Sequence, residues 1–245
     1  MITGRETDIY NDTEIFSTDS THVFLNTPGS FHSKILCVFT LLLLICIQGY
    51  SQKNRLKAFC KLSKPEKCWI LTHPLIANKA WKITQHVRLT TASLAKDSTL
   101  DGEIDGGQLD AFRHTYWMAC LSQRMKWKKA LRLGNAHEKG NYDMYKENKL
   151  EEHSLPDSIA SVMDHFNNNL GSEIGRKNRE VSQDSIRIMV IQAILNGEAR
   201  IFSRNEKGEF LDCEGRILNM QQFSGFWNIP KCLVPSNRAV YKTSP

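Results

Sequence analysis

Three stretches of the chain place polar side chains where the neighbouring pattern is apolar. They contain Asp110 with His114, His137 with Glu138, and Asp164 with Asn168. His114 follows Asp110 by one helical turn, so both side chains lie on one face of a helix. Glu138 falls within an apolar helical stripe, where a carboxylate must be paired, metal-bound or protonated because burying a lone charge is too costly. We expect three helices to bring these groups together.

A converged set of these residues has the composition of a metal site. Its members would be Asp110, Arg113, His114, His137, Glu138, Asp164 and Asn168. Imidazole and carboxylate ligands suit zinc, iron or manganese, with one position open for water. We expect the metal, zinc or manganese, to be held by His114, His137, Asp164 and Asp110. Glu138 would be the general base, and Arg113 or Asn168 would bind or orient a substrate.

The same residues also fit a structural network. Arg113 can pair with Asp110 or Glu138, and His114 with Asp164, in buried hydrogen bonds that fix the register of the helices. Two functions therefore stay open at this stage. One is a metal-dependent hydrolase of a phosphoester or another anionic substrate, and the other is a non-catalytic domain that binds an envelope component or a partner protein.

Three blocks of the sequence resemble one bacterial domain family of unknown function, which is often found in exported proteins. Residues 107–117 contain Asp-Ala-Phe-Arg-His, residues 136–138 read Ala-His-Glu, and residues 163–171 contain Met-Asp, Asn-Asn and Gly. The resemblance covers about residues 75–200. It implies no activity, but it implies these characteristic positions: Asp110, Arg113, His114, His137, Glu138, Asp164, Asn167, Asn168 and Gly171. The order of His, His-acid and Asp is also loosely similar to that of metal-dependent phosphohydrolases of the HD type, with Glu138 in place of an Asp.

A loop rich in Asp and Gly precedes the Asp110 block. Residues 97–108 partly match the calcium loop of an EF-hand, with Asp97, Thr99 and Asp101 at the first three ligand positions and Gly102 at the turn. Gln108 stands where a bidentate glutamate is expected, which would weaken calcium binding. The alternative is a connector whose aspartates cap the next helix. Calcium at Asp97, Thr99 and Asp101 is the second cofactor hypothesis.

Apolar periodicity predicts a mainly α fold, a single bundle of five to six helices with a small β-hairpin and an irregular tail near the C-terminus. The predicted helices cover residues 65–71, 74–96, 108–124 and 126–139, a stretch that begins at Pro156, and residues 182–195. A surface connector is expected at 141–153 and the hairpin at 200–212. On the helix after Pro156, the side chains expected to face the core are Ile159, Val162, Met163, Phe166 and Leu170.

The N-terminal part of the chain indicates export. An apolar run from Ile35 to Ile47 follows Lys34, and it is shorter than the about 20 residues that span a bilayer. It is typical of a signal peptide, with cleavage before Gln52. We therefore expect an unstructured extension at 1–34 that lies upstream of the true start, a signal peptide or signal anchor at 35–51, and a helical domain at 52–245. The protein would be periplasmic or secreted, or membrane-anchored if the segment is not cleaved.

The composition and the net charge of the chain indicate its class of protein and the kind of ligand it would attract. With 41% hydrophobic and 24% charged residues, the chain has neither the composition of a disordered protein nor that of a multi-span membrane protein. The formal net charge is +6, and the excess of basic residues lies after residue 51. This favours an anionic small molecule, a lipid or an envelope polymer, and nucleic acid less so, although solubility alone also explains it. The oligomeric state stays open.

The cysteines agree with an exported domain. We expect disulfides between Cys60 and Cys68 and between Cys213 and Cys232, which would leave Cys120 as a buried thiol. Four cysteines allow three pairings, so these pairs are a hypothesis.

Overall fold

The chain of the computed structural model is described over residues 56–150 and 154–240. The predicted extension at 1–34 and the predicted signal segment at 35–51 lie outside the described residues. After a short helical segment at 56–61 come six helices: α1 (Lys64–Thr72), α2 (Pro74–Leu94), α3 (Gln108–Arg124), α4 (Trp127–Lys146), α5 (Ser158–Lys177) and α6 (Gln183–Leu195). Strand β1 (Arg200–Phe202) pairs antiparallel with β2 (Leu233–Pro235), with Ile201 opposite Val234. The prediction of a mainly helical fold with a small antiparallel sheet near the C-terminus is confirmed.

The helices begin where local capping chemistry starts them. Ser63 and Glu66 form a capping box at α1, and Asp157 accepts hydrogen bonds from two backbone N–H groups at the start of α5. Ser182 caps α6 in the same way. These side chains satisfy N–H groups that a helix start leaves without internal partners, and all three boundaries lie within two residues of the predicted ones.

Helix α4 is longer than predicted, because it runs to Lys146 and includes the first part of the expected connector at 141–153. Its additional turns carry Tyr142 and Tyr145, whose ring centroids each lie 4.9 Å from that of Trp227 in the C-terminal segment. The Tyr145 hydroxyl also donates to the backbone oxygen of Gly225 at 3.0 Å. A contact with a distant part of the chain therefore stabilises turns that local polarity did not predict.

Helix α3 lies at the centre of the bundle. It contacts α2, α4, α5, α6 and β1, and Leu109, Phe112, Tyr116 and Met118 are fully buried along it. This agrees with its apolar sequence around most of its circumference. Polar residues on α3 are consequently buried with the apolar ones.

Helix α5 buries its polar side and only part of the apolar stripe that was predicted to face the core, since Met163 is buried as expected. Two other side chains expected inside, Val162 and Phe166, are 54% and 41% exposed, while Asp164, Asn167 and Asn168 are buried. The physical reason is a backbone contact with α3. A Cβ atom on Gly171 would lie 2.0 Å from the carbonyl oxygen of Thr115, and one on Gly175 would lie 2.0 Å from that of Ala119. This close approach turns the face that carries Gly171, Gly175 and their polar neighbours towards α3.

The C-terminal region differs in its strand pairing from the predicted hairpin. Residues Arg204 and Phe210 do form a bridge around a tight turn, but β1 pairs with β2 in the tail. The two paired strands are about 30 residues apart in the sequence. The turn residues at 205–208 indicate a local hairpin and could not predict this pairing. Among the residues that the structure describes, no helix is both long enough and apolar enough to cross a membrane.

The predicted disulfide between Cys213 and Cys232 is present, with the two Cα atoms 4.8 Å apart. The predicted bond between Cys60 and Cys68 is wrong, because both cysteines are free and exposed and they lie in separate helical segments. Cys120 is buried as expected. Its burial raises the pKa of the thiol to about 12, which keeps it protonated and unreactive.

Candidate metal centre and the adjoining cavity

Asp110, His114 and Asp164 converge between two helices. Helix α3 carries Asp110 and His114 one turn apart, and α5 supplies Asp164, so the backbone contact at Gly171 helps to bring the three together. All three side chains are buried, and one ligand atom from each lies within 4.8 Å of the others. Within residues 56–150 and 154–240, this is the single group of three or more potential metal-ligating side chains. We refer to it as the Asp110–His114–Asp164 cluster.

The spacing within the cluster is compatible with ligands around a shared ion. His114 Nε2 lies 3.5 Å from Asp110 Oδ1 and 3.4 Å from Asp164 Oδ1. Hydrogen bonds from nitrogen to oxygen are typically about 2.7–3.2 Å long. Two ligands about 2.1 Å from a tetrahedral metal lie about 3.4 Å from each other. The arrangement therefore leaves room for a small cation among the three groups.

Asp110 is held in position by two neighbours. Its Oδ1 accepts hydrogen bonds from Arg113 Nη2 at 2.6 Å and Nε at 3.2 Å, and its Oδ2 accepts one from the Gly106 N–H at 2.9 Å. Gly106 has a φ of +74°, and the ring of Phe202 occupies the space that a Cβ would need. A glycine is therefore required where the loop turns its N–H towards Asp110.

His137 lies beside the cluster but is not one of its three converging side chains. Its Nδ1 is 3.1 Å from Glu66 Oε1, and its ring centroid lies 6.4 Å from that of His114. The structure thus brings together three of the four expected ligands, Asp110, His114 and Asp164, and pairs the fourth with a residue of α1.

Sequence reasoning missed Glu66 as a partner in this region. Burial opposes ionisation of its carboxyl group, but the hydrogen bond and charge of His137, together with the donors of Ser63, lower the pKa to about 2. The capping box of Ser63 and Glu66 was the available signal, and it indicates only where a helix starts.

The remaining expected site residues are buried on the facing sides of α4 and α5. The Glu138 carboxylate lies 3.5 Å from Asn141 Nδ2. Gly134, one turn earlier on α4, leaves space for Asn168, whose Nδ2 would lie 3.4 Å from a Cβ at that position. Within the described parts of the chain, neither polar side-chain atom of Asn168 has a hydrogen-bond partner.

Asn167, a characteristic position of the resemblance, has a structural role. Its Nδ2 donates to the Arg200 carbonyl and its Oδ1 accepts from the Arg200 N–H, both at 2.9 Å. The side chain therefore acts as a hydrogen-bonding partner for the start of β1, and attaches that strand to α5.

In the Asp-Gly loop, Asp101 caps α3. Its carboxylate accepts hydrogen bonds from the N–H groups of Glu103, Gln108 and Leu109 at 2.9, 2.8 and 3.2 Å. Gln108 Oε1 in turn accepts from the Asp101 N–H at 3.1 Å. This supports the capping alternative, and calcium binding by Asp97, Thr99 and Asp101 stays a prediction.

A cavity of about 1200 Å³ adjoins the cluster. It lies among α1, α2, α3 and α4, and Arg113, His114 and His137 are among its lining residues. Of the three residues of the cluster, His114 lines the cavity. A ligand in the cavity could approach the cluster from this side.

Comparison with known proteins adds a family but no activity. The family whose description is Domain of unknown function (DUF6973) matches residues 67–198, which include the whole Asp110–His114–Asp164 cluster. No curated protein and no solved structure matches the chain.

Proposed function

The chain belongs to the DUF6973 family of domains of unknown function, and from its buried cluster we propose that it is a metal-dependent hydrolase. Asp110, His114 and Asp164 would bind a divalent ion, zinc or manganese, and the substrate would be a phosphoester or another anion. The observation that carries the proposal is the spacing of His114 Nε2 from the two carboxylates, 3.4 and 3.5 Å, at the wall of a cavity.

The surrounding residues suit such a reaction. A bound zinc or manganese ion would supply Lewis acidity and lower the pKa of a water molecule. Arg113 keeps Asp110 in place and is 24% exposed towards solvent, so it can also contact an anion in the cavity. We assign Glu138 as the general base and Asn168 as an orienting group, because both are buried next to Gly134 on the facing sides of α4 and α5.

We also propose that the protein acts outside the cytoplasm. The apolar segment at 35–51 is typical of a signal for export. The disulfide between Cys213 and Cys232 supports this location, because disulfides persist in oxidising compartments.

A second candidate function is a non-catalytic binding domain, and one observation favours it. Asp110 already accepts three hydrogen bonds, including the 2.6 Å contact from Arg113. If His114 is protonated, the negative charges of the two carboxylates equal the positive charges of Arg113 and His114, so the group is neutral without a metal. The cluster would then be a buried network that fixes the packing of α3 against α5.

Elemental analysis of the purified full chain distinguishes these functions. We expect near-stoichiometric zinc or manganese in the wild-type protein and in Asp184→Asn, an exposed aspartate away from the cluster. The metal should be lost from folded His114→Ala and Asp164→Asn. A folded wild-type protein that takes up neither metal from added zinc or manganese would favour the structural network. Metal binding without hydrolysis of phosphomonoesters or phosphodiesters would contradict the enzymatic part of the proposal.

A further inference from the structure

We propose that the cavity beside the cluster binds an anionic amphiphile, a single alkyl or acyl chain that carries a phosphate headgroup. This inference rests on the proposed function, since it places the phosphate next to His114, and it deepens that function by naming the class of substrate. The argument uses the size of the cavity, its apolar wall, its charged rim and the polar groups at one end.

The size and lining of the cavity favour a ligand with a long apolar part. Its volume of about 1200 Å³ exceeds the roughly 300–1,000 Å³ of ordinary small-molecule sites. Apolar side chains from α1, α2 and α4 form much of the lining, including Ile70, Ala77, Ala80, Trp81, Val87 and Leu133. Each methylene group that moves from water to such a surface adds to the binding free energy in proportion to the apolar area it buries. A free phosphate ion would leave this wall without a partner.

The charged lining residues favour an anion. Lys61, Lys64 and Arg88 are exposed, line the cavity and form no ion pair within the described part of the chain. The acidic lining residues each have a basic partner: Glu66 pairs with His137, Asp143 with Lys146 and Glu147 with Lys149. The uncompensated charge of the rim is therefore positive, which attracts an anionic headgroup and repels a cationic one.

The polar groups lie together, which gives the ligand a direction. Arg113, His114 and His137 line the same cavity as the apolar wall, and the rings of His114 and His137 are 6.4 Å apart. A phosphate there would contact Arg113 and reach the cluster, while the chain attached to it would follow the wall formed by Ala77 and Ala80 of α2. This pairing of one polar end with a long apolar wall matches an amphiphile.

The test is calorimetric titration of the full chain with dodecyl phosphate below its critical micelle concentration. Glycerol phosphate supplies the headgroup alone, dodecyl maltoside supplies the chain with an uncharged head, and adenosine monophosphate tests a nucleotide. We expect dodecyl phosphate to bind at least tenfold more tightly than each of the others. Equal or tighter binding of glycerol phosphate, dodecyl maltoside or adenosine monophosphate would overturn the inference.

Matched variants on α2 locate the binding. Ala77→Phe fills the cavity and should weaken dodecyl phosphate at least tenfold, whereas Ala92→Phe, exposed and outside the cavity, should not change it. Arg88→Glu should weaken binding severalfold, whereas Lys82→Glu, exposed on the same helix but outside the lining, should not. Unchanged affinity for dodecyl phosphate in Ala77→Phe and in Arg88→Glu would refute the inference. If one of the two variants fails to fold, unchanged affinity in the other is sufficient to refute it.

Repeating the titration in excess EDTA separates this inference from the proposed function. The apolar wall and the basic rim remain without metal, so we expect dodecyl phosphate still to bind, with at most a severalfold loss. Binding of dodecyl phosphate by a protein that takes up no metal would support the cavity and refute the hydrolase. Stoichiometric metal without dodecyl phosphate binding would refute the cavity inference and leave the metal site intact.

Discussion

Two buried sets of charged residues in this protein are built differently. At the start of α5, Asp157 accepts hydrogen bonds from the N–H groups of Ile159 and Ala160, and its second oxygen accepts one from Lys231 Nζ at 2.7 Å. In the Asp110–His114–Asp164 cluster, the imidazole nitrogen lies 3.4 and 3.5 Å from the carboxylates. The Asp157–Lys231 pair has hydrogen-bond geometry, whereas the imidazole–carboxylate distances of the cluster are longer and could also accommodate a metal ion. Burial of charge alone therefore does not identify a site, and the distances between the charged atoms give a second criterion by which the two sets differ.

The largest effect is expected from the contact that assembles the cluster. Gly171→Ala should cost about 3 kcal/mol or more, because the new methyl group would overlap the Thr115 carbonyl oxygen and push α5 from α3. Urea denaturation measures this loss. Gly134→Ala is the matched control, because a Cβ there meets its neighbours at an ordinary contact distance of 3.4 Å, and the higher helix propensity of alanine should leave stability unchanged or raise it by up to about 1 kcal/mol. Equal losses in the two variants would contradict the close approach of α3 and α5.

Removing one partner of the hydrogen-bonded pair should also be costly. Lys231→Met leaves Asp157 as an uncompensated buried charge, so we expect a loss of about 3 kcal/mol in buffers with or without metal. The control is Lys207→Met, at an exposed position in the turn, with a loss below about 0.5 kcal/mol. If Lys231→Met were as stable as the wild type, the Asp157–Lys231 pair would not stabilise the fold, which would contradict its structural role.

The cluster should respond to metal in a way that the Asp157–Lys231 pair does not. Zinc at a hundred times its dissociation constant should raise the free energy of unfolding of the wild type by about 2.7 kcal/mol. The same increase is expected in Lys231→Met and none in Asp164→Asn, which loses a ligand. Unfolding measured with zinc and with EDTA checks this, and an equal zinc effect in Asp164→Asn would place any metal elsewhere.

Glu66 provides a pH test of the residue beside His137. Its carboxyl pKa is about 2 in the folded protein against an ordinary 4.5, so the ionised form stabilises the fold. This contribution is complete above about pH 4.5 and is lost as the pH falls towards 2. We expect Glu66→Gln to cost about 2 kcal/mol at pH 7, with a difference from wild type that shrinks between pH 4.5 and pH 2. Glu206→Gln, on an exposed turn, should match the wild type at each pH.

The smallest effect concerns the Asp-Gly loop. Asp101→Ala removes the cap of α3 and should cost about 1 kcal/mol, whereas Asp97→Ala, which loses one exposed contact to Thr99, should cost less. Millimolar calcium should leave the melting temperature of all three proteins unchanged if Asp101 is a cap. A rise in the wild type that Asp101→Ala abolishes would restore the calcium hypothesis.

Much of the fold could be predicted because its signals are local. Ser63, Asp157 and Ser182 mark helix starts through hydrogen bonds to residues two or three positions away. Where the prediction was wrong, the cause was distant in sequence. Tyr142 is helical because Trp227 packs against it, and β1 pairs with β2 rather than with the segment that directly follows it.

The residue types of the candidate site could be predicted from the sequence, but which of the candidate residues lie together could not. A polar side chain in or beside an apolar helix pattern indicates that a partner is needed, which singled out Asp110, His114, Glu138 and Asp164. It does not indicate which partner. His137 and His114 are both histidines, yet His137 pairs with Glu66 of α1. The packing of whole helices determines which partner each histidine meets.

The sequence by itself determined the helices, their starting points and the presence of buried polar residues on α3, α4 and α5. These properties follow from capping and periodicity, which act over a few residues. Only the tertiary structure decided how α5 is oriented, so that Val162 and Phe166 are exposed although they belong to its apolar stripe. That orientation depends on Gly171 and Gly175 allowing two backbones to touch, so it reflects the shape of a contact between helices distant in the chain rather than the hydrophobicity of either one.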